Sequence, residues 1–169
     1  MKRLFATVFA LAMFGMAPAI AHQPVFLLDT DTTAAKGPLL VDGTVSFAVQ
    51  ASFSKAGQKK AFRAALKEGD QLDVQYLIID KKPENKLKNS KLPLLVITSP
   101  SGKKTTMKFT ERTEFFETYS RTMYLYLSRI SEVAEAGIYS FVITARSKSA
   151  ITLGVGVKEV PGEVVRSSN

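Results

Sequence analysis

Residues 59–80, KKAFRAALKEGDQLDVQYLIID, decide the fold. Phe62, Ala64 and Leu66 alternate with Arg63 and Ala65, and after Lys67-Glu68-Gly69-Asp70 the residues Leu72, Val74, Tyr76 and Ile78 alternate with Asp73 and Gln75. Successive residues of a strand point to opposite faces, so a period of two predicts two strands with one buried face each. Glu68-Gly69-Asp70 supplies the backbone freedom and local side-chain hydrogen bonding of a tight connection, which predicts a hairpin.

Residues 44–54, TVSFAVQASFS, repeat the pattern: Val45, Phe47, Val49, Ala51 and Phe53 face one way, with Ser46, Ala48, Gln50 and Ser52 between them. A helix would place apolar residues three and four apart instead. Leu94–Thr98 ends at the turn Ser99-Pro100-Ser101-Gly102, and Thr105–Thr110 reads as its return. Met123–Ser128, Ile138–Ala145 and Ala150–Val157 add three more strands, and Val25–Asp29 and Leu39–Val41 add two short ones. About eight or nine short strands without a long amphipathic helix predict an all-β chain, an antiparallel β-sandwich of jelly-roll type.

The chain has 169 residues. Its first 21 read as a secretory leader: a basic Met1-Lys2-Arg3, an apolar run from Leu4 to Ile20, and a small-x-small Ala19-Ile20-Ala21 before His22. The leader resembles bacterial ones, and the expected location is outside the cell or in the periplasm or envelope. The remaining 148 residues suffice for one domain, expected over 22–160, with a flexible tail over 161–169. Removing the leader lowers the net charge from +8 to +6. There is no cysteine, so packing alone must stabilise an exported fold, and no thiolate is available to a metal.

The order of motifs resembles the bacterial pre-peptidase C-terminal domain over residues 38–157. The residues that carry the likeness are Phe62 through Gly69-Asp70-Gln71-Leu72, the turn Ser99-Pro100-Ser101-Gly102, and Ala136-Gly137-Ile138-Tyr139. The resemblance implies a jelly-roll sandwich that accompanies secreted hydrolases and assists secretion, stability or substrate attachment. The chain departs from that family in having no peptidase attached and in its insertions near 81–91 and 111–122.

Candidate site residues fall in three groups. Phe115, Phe116, Tyr119, Tyr124 and Tyr126 predict an aromatic platform for a polysaccharide or a protein partner, the alternative being that the two phenylalanines plug the end of the sandwich. His22, alone among histidines, would head the mature chain, where its imidazole and the free amino group chelate copper; Asp29 and Asp31 are the nearest oxygen donors. Asp29, Asp31 and Asp42 are the calcium candidates, the alternative being ordinary turn residues. Lysines at 55, 59, 60, 103 and 104 and throughout 81–91 suit an anionic envelope polymer or a membrane surface, and no module for nucleic acid is present. Ser-x-x-Lys at Ser52–Lys55 and Ser101–Lys104 lacks companion motifs. A glycosidase pair such as Glu114 and Glu117 depends on a separation that sequence does not set. The expected function is therefore a secreted, non-catalytic binding or accessory domain. An exported metal-binding protein is the alternative, and an enzyme ranks third.

Overall fold

The structure, a computed structural model, describes residues 22–166. The leader expected over 1–21 lies outside the described residues. Two six-stranded sheets account for nearly all of the regular structure. The first runs, in spatial order, β1 (Gln23–Phe26), β3 (Phe47–Phe53), β11 (Ser149–Val155), β5 (Gln71–Ile79), β9 (Thr122–Val133) and β8 (Thr113–Glu117). The second runs β12 (Val164–Val165), β2 (Leu39–Leu40), β4 (Lys59–Leu66), β10 (Gly137–Thr144), β6 (Leu94–Thr98) and β7 (Lys104–Thr106). Among the described residues no helix is long and apolar enough to cross a membrane.

The alternating residues face one shared core. Phe47, Val49, Ala51 and Phe53 of β3 and Leu72, Val74, Tyr76 and Ile78 of β5 are buried with Phe62, Ala64 and Leu66 of β4 and Phe141 and Ile143 of β10. The phenol of Tyr76 is enclosed, burial pushes its pKa upward, and it stays a neutral donor to the carbonyl of Pro93 at 2.8 Å.

The predicted hairpin at 59–80 is corrected. β4 and β5 form where expected but do not pair: β4 lies between β2 and β10, and β5 between β11 and β9. Residues 67–70 are an arch that carries the chain from one sheet to the other. A hairpin would set the two apolar faces side by side; the arch lets them close on one core from different sheets. Asp70 still supports the turn, accepting from the backbone N–H of Lys67 at 2.8 Å.

The strictly antiparallel expectation is corrected too. β1 runs parallel to β3, and β2 parallel to β4. Parallel neighbours need a long crossover, and the chain supplies one: residues 27–46 separate β1 from β3 and include β2 in the other sheet. Strand β8 arises within the mixed charged and aromatic stretch 111–122.

The tail beyond 160 is tied down as far as it is described. Val164 and Val165 pair with Leu40 and Leu39. The Gln23 side chain donates to the Gly162 carbonyl at 3.0 Å and accepts from its N–H at 2.9 Å. Arg166 reaches Asp31. Within 161–166, therefore, Val164–Val165 form a short strand against β2 and Gly162 is held by a side-chain amide.

Candidate functional site

The outward face of the first sheet is shaped by side-chain size. Strand registers align Pro24, Ala48, Gly154 and Gln75 in one row, and Phe26, Gln50, Thr152, Leu77 and Tyr126 in the next. The central positions are small, Ala48 and Gly154, while Phe115 and Tyr124 pair directly at the far edge. A floor of small residues with a high aromatic edge makes a hollow. It measures about 200 Å³, and all six strands contribute to its lining. Glu117, Tyr119 and Ser120 at the tip of the β8–β9 hairpin and His22 before β1 also line it.

The hollow offers polar groups with no other task. Among the described residues, the side-chain amides of Gln50 and Gln75 make no hydrogen bond within the chain, and neither do the hydroxyls of Thr152 and Tyr124. A Cβ at Gly154 would approach the Gln75 amide oxygen to 3.2 Å, so glycine keeps that amide free of a crowding neighbour. Glu117 is already committed: its two carboxylate oxygens accept from the backbone N–H groups of Tyr119 at 2.8 Å and Ser120 at 2.6 Å. Burial raises the pKa of Glu117, but the bonds from Ser120 and Tyr119, with the charge of His22, outweigh it and hold the group below the usual carboxylate range. The His22 ring meets the Ser46 hydroxyl through Nδ1.

The aromatic group divides across this geometry. Phe115, Tyr119 and Tyr124 line the hollow. Tyr126 stands beside it, its ring 5.0 Å from that of Phe115. Phe116 lies on the other face of β8, half exposed and paired with Met123. Neither phenylalanine belongs to the buried core cluster. Glu114 and Glu117 also fall on opposite faces of β8, so they do not converge as a glycosidase pair.

Sequence reading missed Arg129, whose role depends on a bulge. β5 and β9 shift register between Tyr76 and Leu77, with Tyr76 opposite Ser128 and Leu77 opposite Tyr126, so Leu127 is the extra residue. The bulge turns both Tyr126 and Arg129 outward, although their spacing of three would separate them in a regular strand. Arg129 then lies over the Tyr126 ring at 4.7 Å and grips Glu111 through two bonds of 2.8 and 2.7 Å. Hydrogen bonding from Arg129 and Thr113 lowers the pKa of Glu111.

The expected metal donors are not assembled. His22 precedes β1, and Asp29 and Asp31 follow it. Asp29 pairs with Lys60 at 2.9 Å, and Asp31 with Arg166 at 2.9 Å. Asp42 accepts from the N–H and hydroxyl of Thr44 at 2.9 and 2.6 Å. Burial raises its pKa, but those bonds and the charges of Lys158 and Lys67 bring it below normal. Among the described residues, no three histidine or carboxylate groups are placed to share an ion.

No protein-family model matches the chain, and no curated protein matches it.

Proposed function

We propose that the chain is an exported, non-catalytic β-sandwich domain, jelly-roll in type, that holds a saccharide unit of an envelope or extracellular polysaccharide on the outer face of its first sheet. The hollow carries this reading: aromatic rings of Phe115 and Tyr124 stand beside the unpaired amides of Gln50 and Gln75. A sugar presents an apolar C–H face and a ring of hydroxyls. The first suits an aromatic wall, and the second needs amide donors and acceptors. Pockets for drug-sized ligands hold roughly 300–1,000 Å³, so a hollow of about 200 Å³ suits one ring. The rest of a polymer would run outward past Tyr119 and Tyr126. The resemblance to pre-peptidase C-terminal domains supports the same role, since substrate attachment is among the tasks of that family.

Thermal unfolding against a panel of neutral oligosaccharides tests the reading. A ligand at a hundred times its Kd stabilises by about 2.7 kcal/mol, a shift of roughly 5 to 10 °C for a domain of this size. Tyr124→Ala should abolish the shift while leaving the unliganded melting temperature within about 3 °C, because the ring is only half buried. Failure of every saccharide to shift the transition would reject the proposal, as would a shift that survives Tyr124→Ala.

A further inference from the structure

Three arches lie at one end of the two sheets: residues 54–58, 80–93 and 145–148. The registers place them there, since Thr144 pairs with both Lys59 and Leu94, and Ser149 with Phe53. Lys81, Lys82, Lys86, Lys88 and Lys91 stand on the longest arch. Lys55 and Lys59 flank the first, and Arg146 and Lys148 stand on the third. All nine are exposed. Apart from Asp29, neutralised in its pair with Lys60 at 2.9 Å, the carboxylates at this end are Asp80, bonded by the Asn85 amide at 2.9 Å, and Glu84, bonded by the N–H of Ala150 at 3.2 Å. Nine cations against two carboxylates leave a formal +7. The other described residues hold 12 cations and 13 carboxylates, so the whole excess of positive charge sits at one end. Among the described residues none of the nine enters an ion pair; the pairs formed are Lys60–Asp29, Arg129–Glu111 and Arg166–Asp31.

The arches are braced. Arg112 donates to the carbonyls of Asn85 at 3.2 Å and Leu87 at 2.7 Å, and the Ser147 hydroxyl donates to the carbonyl of Lys91 at 2.9 Å. Exposed apolar side chains stand on both sides. Lys60 donates to the carbonyl of Leu27, which sets Phe26 and Leu28 beside the start of β4. The N–H of Asp80 donates to the carbonyl of Met123, which sets Met123 beside the longest arch. Phe26 is 59% exposed, Leu28 51% and Met123 37%.

We propose that this end seats on the phosphate headgroups of an anionic lipid bilayer, with the flanking apolar side chains entering the interfacial layer. A dissolved polyanion would neutralise the lysines and leave Phe26, Leu28 and Met123 wet. A bilayer takes up both, because basic residues meet its surface potential and apolar ones its acyl boundary. The assignment does not rest on the saccharide reading.

Co-sedimentation with vesicles tests it. The protein should sediment with phosphatidylglycerol–phosphatidylcholine vesicles at low salt, but not with phosphatidylcholine alone. The combined charge reversals Lys81→Glu, Lys82→Glu and Lys88→Glu should weaken binding about 100-fold or more. Combined Phe26→Ser and Leu28→Ser should weaken it further as salt rises and screens the charges. These side chains are exposed, and an unchanged melting temperature verifies that each variant folds. Absence of binding to anionic vesicles would overturn the proposal, and so would full binding by the charge-reversal variant. If the serine variant binds as well as the parent and soluble polyphosphate displaces both, the end is a general polyanion site and the bilayer assignment fails.

Discussion

Phe62→Ala is expected to lower the unfolding free energy by about 3–5 kcal/mol, the range for removing a buried phenylalanine. Phe62 is fully buried and stacks on Phe141 of β10, with ring centroids 4.4 Å apart and planes 9° from parallel. The two are direct cross-strand partners, so the loss opens a cavity under Phe141 that the rigid sheet register does not let collapse. With no cysteine, there is no disulfide to limit the unfolded chain. Natural domains hold only about 5–15 kcal/mol in total, so this single change removes roughly a fifth of the reserve at the least. The melting temperature should fall by about 10–15 °C. Phe115→Ala, by contrast, should cost about 1 kcal/mol, because that ring is half-buried on the outer face rather than enclosed in the core. Equal losses in the two variants, read by chemical denaturation, would mean that the division between core and outer-face aromatics drawn here is wrong.

That division was legible in the sequence where one strand stood alone. The alternation of 45–53 and 62–78 names buried residues, because a period of two leaves no other way to shelter an apolar face. Which strand pairs with which was not legible. Gly69-Asp70 serves an arch between sheets as well as a hairpin, since both need a tight reversal and the same local hydrogen bonds. The parallel pairings of β1 and β2 rest on crossovers with no local signal. In the site, aromatic composition pointed to Phe115, Tyr119 and Tyr124. The hollow itself depends on Ala48 and Gly154, small residues whose function lies in the space they leave. Arg129 was hidden by the bulge at Leu127, which reverses the parity that alternation relies on. The aspartates looked like metal donors because turn carboxylates and calcium ligands share a composition. Only the fold shows that Lys60, Arg166 and Thr44 already hold them.

Arg166→Ala should cost about 2–3 kcal/mol, a large effect for a residue so near the chain's end. The Asp31 side chain is 4% exposed and receives the Leu28 N–H at 2.8 Å in addition to Arg166. Arg166 also donates to the carbonyl of Phe26 at 2.6 Å, so one guanidinium joins the β1 edge, the 29–38 loop and the end of β12. Breaking a buried ion pair from one side costs about 3–5 kcal/mol, because the other charge is left without its partner. Arg166 is itself 39% exposed, so water reaches part of the space it vacates and the loss falls below that range. Asp31→Asn in the Arg166→Ala background should recover part of the loss, since a neutral amide still accepts from Leu28 without carrying a buried charge. A purely packing role for Arg166 predicts no such recovery. Urea unfolding of the four proteins in the cycle separates the two accounts. An Arg166→Ala change within 0.5 kcal/mol of the parent, inside the usual surface range, would show that the clasp between the two ends of the domain carries no stability.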